Sequence, residues 1–147
     1  MSEVSWNNEI YKPAINNKTM YNSDWYNNLI SPPLAPPNWV FAPVWTILYI
    51  TIILALIFFI IKQDENKIEG YIYFAIQLFL NLIWSPAFFV LQNIPMAMTI
   101  VLLLDLFVIL TIRRFYLVSK TAGILLIPYL TWIIFATYLN AGYLILN

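Results

Sequence analysis

The sequence contains no cysteine and no histidine among its 147 residues. Without thiols it can form neither a disulfide nor a thiolate nucleophile, and without imidazole it lacks the commonest general base of enzymes. The commonest ligands of zinc, copper and haem iron are missing as well. We therefore predict no catalytic residues, no metal site and no resident cofactor, and we expect that the protein is not an enzyme.

Charged residues are also scarce: they form 10% of the chain, whereas a soluble domain contains about 25%. Basic and acidic residues balance to a net charge of zero, and no basic block interrupts the chain. Nucleic acids are bound through concentrated positive charge, so a nucleic-acid partner is excluded. The first 24 residues hold no apolar run that could serve as a cleaved secretory signal, and we expect none.

Hydrophobic residues, by contrast, form 62% of the chain. A membrane-spanning helix needs about 20 mostly apolar residues, because the hydrocarbon core of a bilayer is about 30 Å thick. Because the connections are short, helices that follow one another should be antiparallel neighbours. The sequence predicts an all-α polytopic membrane protein, a bundle of four transmembrane helices over residues 39–147. The four stretches are 39–61, 71–91, 95–116 and 122–146.

Residues 1–38 differ from the rest, since they are polar and end in a proline-rich run at 31–38. Proline enforces extended backbone and forbids helix. We interpret this segment as an N-terminal arm with a proline-rich lid. A free polar terminus is rarely ordered unless something holds it. If this arm is ordered, we expect the mouth of the bundle or another chain to hold it down.

The lysines and arginines predict an orientation in the membrane. Lys62 and Lys67 lie in the first loop, while Arg113, Arg114 and Lys120 lie around the third. These two loops should share one side of the bundle, and the positive-inside rule places that side in the cytoplasm or an equivalent compartment.

Polar side chains follow one face of the second span, where successive residues turn by about 100°. Amides in hydrocarbon are costly without partners, so this face should point into the bundle. It could line a ligand site, or it could only form hydrogen bonds that stabilise helix packing. The arc consists of Phe74, Gln77, Asn81, Ser85 and Phe88, with Trp84 at its edge.

Asp105 lies near the middle of the third span. A carboxylate at this depth is costly, which makes a functional role the first hypothesis. Its expected partners are Asn81, Tyr49 or Tyr129. The alternative is a protonated or hydrogen-bonded acid that only pins the bundle together. No second carboxylate lies in any span, so a general acid and base cannot be paired there.

Two aromatic faces could line a cavity or could simply pack. Trp45 and Tyr49 share a face of the first span, and Trp132 lies on such a face of the fourth. Aromatic residues also collect at membrane interfaces as anchors, and Trp39 and Tyr143 fit that interpretation too.

Several motifs are specific enough to compare with known families. Residues 25–29 (WYNNL), the prolines at 32–37 and residues 39–49 (WVFAPVWTILY) resemble the loop and second helix of the translocator protein family (TspO/peripheral benzodiazepine receptor). Residues 80–85 (LNLIWS) resemble its third helix, and residues 122–132 (AGILLIPYLTW) open a stretch similar to its fifth. Asp105 falls where the family's fourth helix carries an acid. The motifs occur in order and at compatible spacing.

The resemblance implies a helical bundle whose pocket opens toward one face, is capped by the proline-rich loop, and accepts porphyrins, sterols or synthetic aromatic ligands. A porphyrin, a sterol-like molecule or a lipid would then be the ligand, in a mitochondrial or bacterial membrane. The sterol motif of animal members is incomplete, since no basic residue follows Tyr143. The candidate ligand-binding residues are Trp39 in the lid, Trp45, Tyr49, Asn81, Trp84, Trp132 and Asn140 at or near the pocket, and Asp105.

Family members have five transmembrane helices, whereas the motifs found here begin with the loop before the second. We therefore expect the family's first helix to be absent. Lipid, a second copy in a homodimer, or a helix from another membrane protein subunit would fill its place. The alternative function is accordingly a structural accessory subunit of a larger membrane complex.

Overall fold

The computed structural model describes residues 23–147, and the regular elements in this part of the chain are helices. A 3₁₀ turn at Asn38–Val40 leads into the second helix, and a π-helical turn at Pro86–Val90 extends the third. The helices are α1 (Asp24–Asn28), α2 (Phe41–Ile61), α3 (Ile68–Ser85), α4 (Ile94–Val118), α5 (Lys120–Leu125) and α6 (Ile127–Leu146).

Four helical segments within residues 23–147 are long and apolar enough to cross a membrane. Each coincides with a stretch predicted from the sequence to within a few residues. Isoleucine and leucine side chains on these segments point outward, as expected where lipid replaces water as the solvent. The all-α fold with four transmembrane helices is confirmed. The segments are Asn38–Ile61, Ile68–Val90, Ile94–Val118 and Lys120–Leu146.

Two prolines interrupt the spans. Proline has no N–H and its ring collides with the carbonyl four residues earlier, so a regular α-helix cannot continue through it. At Pro86 the backbone widens into the π-helical turn, and the N–H of Leu91 donates to the carbonyl of Pro86 at 2.9 Å. Before Pro128 the chain breaks at Leu126, which separates α5 from α6.

The helix α4 lies at the centre of the bundle, where it packs against α3, α5 and α6. By contrast, α2 packs mainly against α5 and less closely against α6. Successive helices are neighbours, as expected, but they differ in how they pack: α3 and α4 are closely packed, whereas α2 and α3 meet through side chains and their backbones are not closely packed. Side chains such as Trp45, Tyr49 and Asn81 occupy the interior between them.

One end of the bundle brings the first and third loops together. The rings of Phe59 on α2 and Phe115 on α4 stack with centroids 4.1 Å apart. Next to them, Arg114 forms a salt bridge with Glu69 at the start of α3. The prediction that these two loops share a side is confirmed, and the assignment of that side to the cytoplasm stays a prediction.

The described part of the N-terminal arm, residues 23–38, lies across the other end of the bundle. Tyr26 is only 5% exposed, and its ring contacts those of Phe41, Phe89 and Tyr143. The mouth of the bundle therefore holds this part of the arm. The rest of the arm, and with it the expected absence of the family's first helix, lies outside the described residues.

Backbone contacts fix the lid against α6. The side-chain amide of Asn147 accepts a hydrogen bond from the Ile30 N–H and donates one to the Ile30 carbonyl, both at 3.0 Å. The Tyr138 hydroxyl donates to the carbonyl of Pro33. Pro32 of the lid packs directly against Gly142 of α6. A Cβ atom at position 142 would overlap the proline ring.

Candidate ligand-binding site

A chain of hydrogen bonds crosses the bundle from α2 through α3 to α6. The Tyr49 hydroxyl donates to Asn81 Oδ1 at 2.6 Å, and Asn81 Nδ2 donates to the Tyr129 hydroxyl at 2.7 Å. Tyr129 in turn donates to Gln77 Oε1 at 2.8 Å. The polar arc of α3 therefore points into the bundle, as predicted. We refer to Trp45, Tyr49, Gln77, Asn81, Tyr129 and Trp132 as the interior cluster.

Two hydrogen-bond donors in the interior cluster have no acceptor. Trp45 Nε1 and Gln77 Nε2 are both buried and have no hydrogen-bond partner. Trp45 is 8% exposed and Gln77 is 1% exposed. An unsatisfied buried N–H costs about 1–3 kcal/mol, so natural proteins seldom retain one without a reason. Both N–H groups could therefore donate to an acceptor that the described residues do not supply.

Aromatic rings enclose the cluster on the side of the lid. Trp45 lies 5.6 Å from Tyr49 and 6.5 Å from Trp132, centroid to centroid. The rings of Trp132 and Phe41 pack edge to face, with centroids 6.1 Å apart. These rings present apolar faces that suit a flat apolar molecule.

A second polar pair lies closer to the lid. Trp84 Nε1 donates to Asn140 Oδ1 at 3.1 Å, and Asn140 Nδ2 donates to the Ile94 carbonyl at 3.2 Å. The pair borders a small apolar cavity of about 10 Å³, which we call the inner cavity. Its lining is formed by Tyr26, Phe41, Trp84, Phe88, Phe89, Leu139, Asn140 and Tyr143.

The predicted site residues fall into three groups. Trp45, Tyr49, Asn81 and Trp132 meet in the interior cluster, and Trp84 and Asn140 form the adjacent pair. Trp39 lies apart, on the turn before α2, and is 73% exposed. An exposed indole at the end of a span is typical of a membrane-interface anchor. Tyr143, which shared that interpretation, is buried at the lid instead.

Asp105 makes no hydrogen bond to the interior cluster. Its Oδ2 accepts a hydrogen bond from the Thr137 hydroxyl at 2.6 Å, and its Oδ1 is buried without a partner. The expected partners Asn81, Tyr49 and Tyr129 were therefore wrong. The reason is the packing of α4 directly against α6, which places Thr137 opposite the carboxyl group, while the Tyr129 hydroxyl bonds to α3 instead.

Two contributors were missed from the sequence. Thr137 gave no signal, because a threonine in a span usually bonds to the carbonyl four residues before it. The carbonyl of Ile133 does lie 2.9 Å from the Thr137 hydroxyl and competes with Asp105 for its one proton. Tyr26 precedes the first span, where a tyrosine looks like part of a polar arm. Among the residues that the structure describes, no three acidic side chains converge where they could hold a metal ion.

Comparison with known proteins gives a consistent result. The model of the TspO/MBR family matches residues 9–146, a region that begins upstream of the motifs noted above. The chain is 44% identical to the tryptophan-rich protein TspO of Chlorobaculum tepidum, over 84% of this chain and 79% of that protein. It is 36% identical to the tryptophan-rich sensory protein of Cereibacter sphaeroides, over 92% of this chain and 84% of that protein. It is 34% identical to the human translocator protein, over 79% of this chain and 70% of that protein.

Proposed function

We propose that this chain, which belongs to the TspO/MBR family, binds an apolar ring-shaped ligand in the interior of its membrane bundle. The ligand would lie against the rings of Trp45 and Trp132 and would reach toward Asn81. Binding without catalysis is the proposal, because Asp105 has no second carboxylate to work with in the described spans: Glu69, at the start of α3, is paired with Arg114. The relatives' names point the same way, since they describe a sensory protein and a translocator.

The observation that carries this proposal is the pair of unpartnered donors, Trp45 Nε1 and Gln77 Nε2. A ligand with oxygen or nitrogen acceptors would satisfy them, and the free energy lost by leaving them unpaired would be recovered on binding. A purely hydrocarbon ligand would leave both unpaired. The supported ligand class is therefore apolar with a few acceptor atoms, a description that porphyrins and oxygenated sterols both meet.

The inner cavity, as described, is much smaller than a ligand of this class. The inner cavity measures about 10 Å³, whereas ligand pockets commonly enclose about 300–1,000 Å³. The backbones of α2 and α3 are not closely packed, and Tyr49 and Asn81 span the gap with one hydrogen bond. Outward movement of α2 would open the interior at a smaller cost than separation of α3 from α4, which pack extensively.

The test is a titration of the purified protein with protoporphyrin IX, followed by quenching of tryptophan fluorescence. Trp45→Phe keeps an aromatic ring but removes one unpartnered donor, so we expect its Kd to rise about fivefold. Trp39→Phe is the matched control, because it also removes one indole but at an exposed position. We expect its Kd to stay within about twofold of the original.

Two results would overturn the proposal. One is quenching of the unmodified protein that rises without saturation, as it would for simple partition into detergent. The other is an equal change in Kd for Trp39→Phe and Trp45→Phe, since the interior position would then have no special role.

A further inference from the structure

A second, larger cavity lies beneath the proline-rich loop, at the lid end of the bundle. Its volume is about 230 Å³, enough for a functional group and part of a ring system. We call it the loop cavity. It is lined by Tyr26, Asn27, Ser31, Pro32, Leu34, Ala35, Pro36, Asn38 and Tyr143.

Three hydroxyl groups form a row along its wall. The Tyr143 hydroxyl lies 3.0 Å from the hydroxyl of Tyr26 and 3.5 Å from Ser31 Oγ. Three hydroxyls carry three protons, but two contacts between them can use only two. One O–H of the three is therefore left to donate to another group. Burial raises the pKa of Tyr26 above its ordinary value, so this hydroxyl keeps its proton near neutral pH.

The loop cavity also adjoins the aromatic interior. Tyr26 and Tyr143 line both the loop cavity and the inner cavity, and each is about 95% buried or more. From Tyr26 the rings continue to Phe41, with centroids 6.3 Å apart, and from Phe41 to Trp132 at 6.1 Å. An unbroken row of rings thus leads from the loop cavity to the interior cluster.

The lining of the loop cavity favours a neutral group over an anion. Its lining, within the described part of the chain, contains hydroxyls, amides and prolines but no charged side chain. An anionic group would enter without a compensating cation, which is costly away from bulk water. A neutral oxygen, such as that of a carbonyl, ester or ether, can accept the remaining O–H with no such cost.

We propose that the loop cavity is a binding site for a neutral oxygen acceptor at one end of an amphipathic ligand. The Tyr26, Ser31 and Tyr143 hydroxyls provide the donor, and the apolar end of the ligand lies among the rings below. This inference rests on the proposed function, because it requires a ligand in the interior. It adds that the loop cavity favours ligands with a neutral polar end, so the ionised propionates of protoporphyrin IX would lie outside this cavity while its ring occupies the interior.

The test compares two probes of similar shape, 1-acetylpyrene and 1-ethylpyrene, which differ in one carbonyl oxygen. Binding is measured by energy transfer from tryptophan to pyrene. We expect the unmodified protein to bind 1-acetylpyrene about fivefold more tightly than 1-ethylpyrene. The triple variant Tyr26→Phe, Ser31→Ala, Tyr143→Phe should lose this preference while it still binds 1-ethylpyrene.

Tyr138→Phe is the matched control, since it removes an α6 hydroxyl that bonds to the lid at Pro33 but does not line the loop cavity. It should keep the preference. Should the triple variant fail to fold, Ser31→Ala alone, at an exposed residue, should reduce the preference about twofold.

The outcomes separate this inference from the proposed function. Saturable binding of both probes with equal affinity, or a preference that persists in the triple variant, overturns the loop-cavity site and leaves the interior site intact. If neither probe binds saturably, the proposed function fails and the inference fails with it.

Discussion

Tyr49 on α2 donates a 2.6 Å hydrogen bond to Asn81 on α3, and it does so between two helices whose backbones are not closely packed. Asn81 passes the connection to Tyr129 on α6. Side chains thus join these three helices in the interior. By contrast, the backbones of α3 and α4, and those of α4 and α6, are closely packed. Such a junction can rearrange without loss of the α3–α4 and α4–α6 contacts, which is the property that a closed but accessible site requires.

Loss of the Tyr129 hydroxyl should destabilise the bundle more than loss of the Tyr49 hydroxyl. Tyr129 is fully buried, and its removal leaves both Asn81 Nδ2 and Gln77 Oε1 without their partners. We expect Tyr129→Phe to lower the free energy of unfolding by about 1–3 kcal/mol. For Tyr49→Phe, which leaves one acceptor unpaired, we expect about 0.6 kcal/mol, the average for a hydrogen bond between membrane helices.

Reversible unfolding in mixed micelles measures both values. Tyr116→Phe provides the control, because Tyr116 is 45% exposed on the outer surface of α4. The interpretation of the interior cluster as a structural junction is wrong if Tyr129→Phe is no more destabilising than this control.

The sequence was sufficient for the spans and for the inward face of α3. Apolar length specifies a membrane helix directly, and amides such as Gln77 and Asn81 cannot face lipid without a penalty. Both properties can be read from the sequence of one helix, without knowledge of its neighbours. The resemblance to a known family also brought together Trp45, Asn81 and Trp132 as candidates, and their role in binding a ligand stays a prediction.

Relations between helices could not be read from the sequence. Asp105 required a partner, but several polar residues on other spans were available, and only the packing of α4 on α6 selects Thr137. Likewise, a short loop brings α2 and α3 to the same end of the bundle but does not make them pack closely. The burial of Tyr26 depends on how the lid folds back, which no local pattern encodes.

Asp105→Asn should leave ligand binding unchanged, because Asp105 lies outside the interior cluster. An asparagine oxygen can still accept from Thr137, and the neutral amide avoids a charge within the membrane. We expect the Kd for protoporphyrin IX to stay within about twofold, while Asn81→Leu should raise it more. A greater loss of affinity in Asp105→Asn than in Asn81→Leu would show that the acid belongs to the site after all.

The salt bridge between Arg114 and Glu69 should contribute little to stability. Both side chains are substantially exposed, 38% and 50%, and exposed ion pairs are worth about 0–1 kcal/mol. A double-mutant cycle with Arg114→Gln and Glu69→Gln should give a coupling in that range. The coupling should fall in about 1 M salt, where charges are screened within about 3 Å. A coupling well above this range that persists in high salt would mean that lipid or protein shields the pair.

Two glycine substitutions should separate docking of the lid from stability of the bundle. In Gly142→Ala the added methyl overlaps the ring of Pro32, which belongs to a loop that can move away. In Gly123→Ala the methyl would lie 2.6 Å from Cβ and 2.8 Å from Cα of Tyr116, which belong to α4 and cannot yield.

We therefore expect Gly123→Ala to lower the free energy of unfolding by about 1–3 kcal/mol, as overpacking commonly does. Gly142→Ala should change it by less than about 1 kcal/mol but should release the lid. The amide of Ile30, which donates to Asn147, reports on the lid through hydrogen exchange. Its exchange should accelerate in Gly142→Ala, whereas amides in the middle of α4 should keep their protection. Equal acceleration at both places would show that the lid and the bundle open as one unit, and the loop cavity could then not admit a ligand independently.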